Sequence, residues 1–322
     1  MRMSYKHAIE KSCIVVTMYK FVSLPDYREM QSKILDYCMA NNIRGTILLA
    51  EEGINGTIAG QRDNIDAVLD FLKTDDRLSD MDYKVSYYDE IPFYRMKVKA
   101  RKEIVTMGMP EINPARKNGQ KVDAIGWNRL VNDPDVIVVD TRNHYEYEIG
   151  TFKNAVSPHT DTFTEFPGYA RKHLSSCRKK KIAMFCTGGI RCEKATSYLL
   201  EQGFTSVFHL DGGILKYLEQ VKPEDNLWQG DCFVFDNRVA VDKNLLKSSY
   251  TMCFGCRMPV SARDRRSEKY EEGVSCPRCY DTLNEERKKN LRQRQYQVQL
   301  AESRNQQHIG VPVEMIKHNT GS

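Results

Sequence analysis

The chain reads as a mixed α/β and α+β protein in three parts, and three patterns in its sequence say so. Over roughly the first hundred residues, apolar runs and helical segments follow one another in β-α-β-β-α-β order. In the middle, wholly apolar strands alternate with helices, the pattern of a parallel sheet covered on both faces. Past Val221 the periodicity loosens and cysteines gather. The expected boundaries are residues 1–109, 120–222 and 223–322.

In the first part, Cys13-Ile14-Val15-Val16-Thr17-Met18-Tyr19 is β-branched and apolar, as a strand requires. Pro25 opens a helix that carries Met30, Ile34, Tyr37 and Cys38 on one face. Thr46 to Leu49 is a second strand. Gly53-Ile54-Asn55-Gly56 reads as a tight turn before a third strand, Thr57-Ile58-Ala59. Asp63 can cap a helix bearing Ile65, Val68, Leu69 and Leu72, and Tyr83 to Tyr88 supplies a fourth strand. This order describes a ferredoxin-like module. Pro110 to Gly119, with Pro, Asn, Gly and Lys, reads as a linker. After it come a helix around Trp127–Leu130 and the strand Val136–Val139. The strand Ile182–Phe185 follows, then a helix from about Cys192 to Gln202. A last strand, Ser206–Leu210, ends at Asp211-Gly212-Gly213. The stretch Glu285 to Gln307 reads as a polar tail rich in Arg, Lys and Gln.

Composition narrows the class. Hydrophobic residues at 41% and charged residues at 28% fit a globular chain. No apolar run approaches the ~18–20 residues of a membrane helix, and Met1 to Ser12 lacks a signal-type apolar core. A cytoplasmic protein without a membrane partner is expected. Ten cysteines in 322 residues are too sparse for a secreted disulfide scaffold, so metal binding or thiol chemistry is the better use for them. A net charge of +5 permits nucleic-acid binding without arguing for it.

The sharpest chemical signal is Cys186-Thr187-Gly188-Gly189-Ile190-Arg191, a short loop between a buried strand and a helix. Reactive groups of an open α/β sheet sit at the carboxyl ends of its strands, where Cys186 falls. Inward loop amides and the helix N-terminus favour thiolate over thiol, and can equally hold a persulfide or an oxyanion. Gly188 and Gly189 suit the backbone angles this needs, and Arg191 adds a fixed positive charge. The spacing is Cys-x4-Arg, one amide short of the Cys-x5-Arg loop of cysteine phosphatases, and better matched to a sulfur adduct than to phosphate. Cys192 invites two readings, a second redox thiol or a packed helix cysteine. Asp140 and Arg142 also invite two: Arg142 binds a substrate phosphate, or the pair ties loops together. Glu193 is accounted for by the helix dipole, and His144, His159 and His209 lack a metal-like spacing.

Residues from about Ala124 to Gln220 resemble a rhodanese domain. The features that match are Asp140-Thr141-Arg142, Tyr145-Glu146-Tyr147 and Gly150 before Ala155. From about residue 13 to 283 the chain resembles the bacterial tRNA uridine hydroxylase family of rhodanese-domain proteins. The motifs are Ala50 to Gly60, Val98 to Gly108, Asp140-Thr141-Arg142-Asn143 and Cys186 to Ala195, with the C-terminal cysteine pairs. The resemblance implies hydroxylation of the wobble uridine in the tRNA anticodon loop to 5-hydroxyuridine, with dioxygen as cosubstrate and Cys186 as the reactive cysteine. No flavin, haem or iron site is evident in the sequence, which leaves the thiol as the candidate. The rival activity is a sulfurtransferase carrying a persulfide on Cys186. A non-enzymatic RNA-binding adaptor is a third reading, and the intact Cys-Gly-Gly-Arg elements count against it.

Two further patterns stand apart from that loop. Cys253-x2-Cys256, nineteen residues and Cys276-x2-Cys279 have zinc-ribbon spacing; the alternatives are two disulfides or four free thiols. Basic residues recur at Arg95, Lys97, Lys99, Arg101 and Lys102, at Arg263, Arg265 and Arg266, and at Arg287, Lys288, Lys289, Arg292 and Arg294. In the first set Arg95, Lys97, Lys99 and Arg101 alternate, so an extended segment would project them from one face, and Tyr87, Tyr88, Phe93 and Tyr94 lie nearby. The set could line a groove for an RNA loop or form a solvated charged face.

Overall fold

A computed structural model describes residues 13–304. The leader expectation for Met1 to Ser12 and the last residues of the expected polar tail, 305–307, lie outside the described residues. The rest divides into two units, one holding residues 13–91, 96–234 and 241–246 and the other 92–95, 235–240 and 247–304. The first two expected domains therefore share one unit. Residues 223–234 and 241–246 group with the first unit.

The N-terminal part is the expected alternation with one strand more. Its strands are β1 (Cys13–Phe21), β2 (Arg44–Ala50), β3 (Gly53–Gly60), β4 (Tyr83–Tyr88) and β5 (Met96–Ala100), with helices α1 (Tyr27–Ala40) and α2 (Arg62–Lys73). The sheet order is β4-β1-β3-β2-β5. β5 runs parallel to β2 at the sheet edge, so the alternating Lys97 and Lys99 do lie on an extended segment. Ile34 and Cys38 of α1 and Ile65, Val68, Leu69 and Leu72 of α2 fill the core against the sheet.

Two local expectations need correction. Gly53 to Gly56 is strand, not turn: Ala50 pairs with Gly53, so the hairpin turns on Glu51 and Glu52 alone. The glycines answer a different need, since a Cβ on Gly53 would lie 2.0 Å from the Lys20 carbonyl oxygen of β1. The second helix starts at Arg62 with Gln61 as its N-cap, so Asp63 sits in the first turn and meets the helix dipole rather than capping.

The middle part is a parallel sheet of β6 (Gln120–Val122), β7 (Val136–Asp140), β9 (Lys181–Phe185) and β10 (Ser206–Leu210) in the order β6-β10-β9-β7. Here β8 (Gly150–Phe152) pairs instead with β11 (Trp228–Gly230). Helices α3 (Ala124–Asn132), α4 (His144–Tyr147), α5 (Ile190–Glu201) and α6 (Gly213–Gln220) complete it. Along β9, Ile182 and Met184 face the core that α5 covers, while Ala183 and Phe185 face the core built with Trp127 and Tyr217. Cys186 continues the first row. Residues 101–119 hold no helix or strand, yet Ile104, Met107 and Ile112 are buried, so the expected linker is a packed strap.

Helix α5 is bound to the N-terminal part by charge. Lys194 is 0% exposed and donates to Glu52 Oε2 and Glu103 Oε1, each at 2.7 Å. Glu52 sits in the β2–β3 turn and also accepts from the Ile104 amide at 2.7 Å. Glu103 follows β5 and accepts from the Gly108 amide at 3.0 Å. Burial pushes the Glu103 carboxyl up, but Lys194 and the amides outweigh it and hold it below its ordinary value.

The second unit carries a short hairpin, Thr251–Met252 with Pro259–Val260, and a long helix, α7 (Glu285–Ser303). That helix corrects the expected polar tail. Glu, Lys, Arg, Gln, Leu and Ala are helix formers, and the Asn284 side chain accepts from the Arg287 amide as an N-cap. Among the described residues, no helix is long and apolar enough to cross a membrane.

Removing the lysine from this buried triad strands two carboxylates. Lys194→Met is expected to destabilise the protein by about 3–5 kcal/mol in denaturant unfolding. Adding Glu52→Gln and Glu103→Gln should recover most of that loss, and no recovery would refute the account.

Candidate active site

Cys186 ends β9, and α5 begins four residues later at Ile190. The Gly189 amide donates to Cys186 Sγ at 3.1 Å. Gly189 caps α5 with φ of +104°, and a Cβ there would lie 2.8 Å from the Tyr19 hydroxyl, so only glycine serves. The Asp211-Gly212-Gly213 turn braces the loop from below: the Ile214 amide donates to the Cys186 carbonyl at 3.0 Å and the Leu215 amide to that of Thr187 at 3.2 Å. A Cβ on Gly213 would sit 2.5 Å from the Cys186 carbonyl oxygen.

Cys186 is 1% exposed, and burial pushes its thiol up. That effect is outweighed by the Cys192 thiol, the Arg191 charge and the Cys192 and Gly189 amides, which together hold the group down to about 6. Cys192 is forced the other way, by its own burial and then by the neighbouring Cys186. Cys192 Sγ also lies 3.5 Å from Thr141 Oγ1.

Arg191 reaches Cys186 as a charge rather than as a free donor. Both of its terminal nitrogens grip Glu146, at 2.6 and 2.8 Å. Glu146 is 0% exposed and is itself set by α4, where it accepts from the Asn143 amide at 3.0 Å. Sequence reasoning missed this partner. Asn143-x2-Glu146 is legible as a capping box, but nothing in it points to an arginine 45 residues on. Thr187 closes the group, with its hydroxyl 3.4 Å from Glu146 Oε1.

Asp140 and Arg142 lie elsewhere. Arg142 is fully buried between the Phe185 and Trp228 rings and donates to both Asp140 oxygens, at 2.9 and 2.6 Å, and to the Gly150 carbonyl. It cannot reach a substrate phosphate; the pair ties the loop after β7 to β8. Glu193 does more than meet a dipole, since it accepts from the Tyr19 hydroxyl at 3.0 Å and pairs with Lys121 at 2.9 Å.

Two residues of the N-terminal sheet overlie the loop, and no local pattern signals either. Lys84 of β4 donates to the Gly188 carbonyl at 3.0 Å and lies 5.5 Å from the centre of the Tyr19 ring. Burial lowers the Lys84 ammonium, with the Cys186 charge acting against it. Burial, Glu193 and Cys186 together raise the Tyr19 hydroxyl.

The four C-terminal cysteines meet in the second unit, and all their sulfurs lie within 4.8 Å of one another. Cys253 and Cys279 sulfurs are 3.7 Å apart, Cys256 and Cys276 3.6 Å, and Cys276 and Cys279 3.8 Å. Four sulfurs about 2.3 Å from a tetrahedral zinc ion would be about 3.8 Å apart, so the set fits that ion.

Fold and loop together define a rhodanese-like domain with Cys186 at the end of its central strand β9. Residues 127–220 match the family described as a rhodanese-like domain, and residues 13–104 match a UPF0176 acylphosphatase-like domain. The combination is consistent with the UPF0176 family. Among solved structures, the chain is similar to a rhodanese-related protein from Thermoplasma volcanium at 23% identity, over 32% of this chain and 95% of that one, with a TM-score of 0.27. It is also similar to a rhodanese-like domain from Anabaena sp. at 19% identity, over 34% and 78%, with a TM-score of 0.28. An uncharacterized Saccharomyces cerevisiae protein matches at 18%, over 34% and 97%, also at 0.28.

A titration of ultraviolet thiolate absorbance, taken as the difference between wild type and Cys186→Ser, should show a transition near pH 6, with thiolate present above it. Arg191→Met removes the cation and bares Glu146, so its transition should move up to or beyond the ordinary thiol value of about 8.5. A wild-type transition already at that ordinary value would contradict the cradle.

Proposed function

We propose that this protein uses dioxygen to hydroxylate C5 of the wobble uridine in the tRNA anticodon loop, giving 5-hydroxyuridine in the cytoplasm. The observation that carries the reading is the buried Cys186 sulfur at the end of β9, which accepts from the Gly189 amide at 3.1 Å, with a second buried cysteine, Cys192, in the first turn of the helix behind it. The UPF0176-type domain over the loop supports it.

Uracil C5 is not acidic, but addition of the Cys186 thiolate to C6 makes C5 an enolate carbon able to take up an oxygen electrophile. In an alternative order, the thiolate is oxidised first and passes its oxygen on. Either way one oxygen atom enters the C5–H bond, and reducing the other to water takes two electrons and two protons. Loss of the C5 proton releases Cys186 from C6; the Cys186 thiolate and the Cys192 thiol then give the two electrons and one proton, solvent gives the second proton, and the pair closes a disulfide that a cellular thiol reductant reopens.

A sulfurtransferase reading draws support from the same amides, which could hold a Cys186 persulfide, and from the rhodanese-like match. Mass spectrometry of tRNA nucleosides separates the two. Cells without the protein should lose an oxygen on uridine, and Cys186→Ala should not restore it. Loss of a sulfur instead would favour the rival.

The cysteine quartet is proposed to hold one structural zinc ion, which would organise a unit poor in apolar residues. Elemental analysis of protein purified under reducing conditions should give one zinc per chain, and Cys276→Ser should lower that content. A zinc-free, equally stable wild type would exclude the site.

A further inference from the structure

The first cysteine knuckle of the second unit holds a ring that two cations approach. The Arg257 guanidinium lies 5.1 Å from the centre of the Phe254 ring, and that of Arg294, from α7, lies 4.5 Å from it. Arg287 and Arg294 are seven residues apart, on the helix face that buries Leu291, so Arg287 adds its charge nearby. Arg257 is fixed by the knuckle, its amide donating to the Cys253 carbonyl at 2.7 Å.

These cations lack counter-charges. Among the described residues, no carboxylate pairs with Arg257, Arg287 or Arg294, whereas Arg292 on the same helix grips Glu271 with two bonds of 2.7 Å. Glu285 is taken by Lys288 at 3.0 Å. Burial and the charges of Arg257 and Arg287 disfavour the Arg294 cation, with Tyr94 acting the other way. Guanidinium groups held together without an acid are an anion site, and their planar fork suits phosphate oxygens. The half-buried Phe254 and Tyr94 rings beside them suit unpaired bases.

We propose that Arg257 and Arg294, oriented by Phe254, each hold a backbone phosphate of single-stranded RNA. The choice of RNA rests on the function proposed above; the anion site rests on the geometry. Phe254 acts by positioning the guanidinium groups, and the strand's neighbouring base stacks on the exposed aromatic edge.

The test uses the full chain as purified, a labelled RNA hairpin with an unpaired loop, and fluorescence anisotropy across a range of salt. Arg257→Gln/Arg294→Gln should weaken binding by about tenfold or more and flatten the salt slope by about 1.4, two single-strand phosphate contacts' worth. Lys289→Gln, which removes the same charge from the same helix, should change affinity by no more than about twofold. Unchanged affinity and slope in the double variant would overturn the inference, as would equal competition by an acidic peptide. If the double variant loses zinc or folded structure, the exposed Arg257→Gln alone carries the test, with about half the slope change expected. Wild type that forms 5-hydroxyuridine while the arginine variants bind normally sinks this site alone. Wild type that binds through these arginines yet never forms 5-hydroxyuridine sinks the catalytic reading alone.

Discussion

The rest of the first unit depends on an ammonium group that no water reaches. Among the described residues, Lys194 has its charge matched by Glu52 and Glu103, and breaking such a group exposes charge to a low-dielectric interior. Glu52 comes from the β2–β3 turn, Glu103 from the strap after β5 and Lys194 from the helix that starts at the reactive loop. Holding all three together fixes where the N-terminal sheet can stand. Tyr19 then meets Glu193 and Lys84 meets Gly188, so the sheet over the cysteine follows from the ion group beside it.

Burial by itself would make Cys186 inert. Cys38 and Cys232 show this within the same chain. Both are 0% exposed, and burial pushes each thiol up to about 12. Cys186 is equally dry, yet its thiol sits near 6. The difference is the set of donors aimed at its sulfur and the Arg191 charge behind them, which Glu146 holds in place without cancelling. Peptide dipoles and a fixed guanidinium act strongly here because water is excluded. The environment that would silence an unsupported cysteine thus strengthens the groups that ionise this one.

What could be read from sequence follows the range of the interactions concerned. The β4 strand Tyr83–Tyr88, the strand–loop–helix around Cys186 and the paired cysteine knuckles are encoded within a few residues, and each stands in the structure where its pattern places it. The Arg191–Glu146 grip, the Lys194 group and the Lys84 contact join residues 45, 91 and 104 apart, and no local pattern carries such pairings. Strand β6 is only three residues long and polar, so it shows no strand signature until β10 pairs with it. Helix α7 was missed for the opposite reason. Its residues favour helix individually, but it has almost no apolar stripe to reveal it.

A net charge of +5 is a poor guide to what this chain binds, because the total hides which charges are already committed. Arg142 belongs to Asp140, Arg191 to Glu146, Lys194 to Glu52 and Glu103, and Arg238 to Asp236, all in buried pairs. Those cations do structural work and contribute little to an outside polyanion. Attraction to a partner comes from cations whose fields are not spent internally, and their placement matters more than their number. Arg257 and Arg294 are of that kind, since the fold brings them to one ring and, among the described residues, no carboxylate pairs with either. Their mutual repulsion is a standing cost in the free protein, and an arriving phosphate relieves it, so an anion binds there with part of its energy drawn from strain the fold has already accepted.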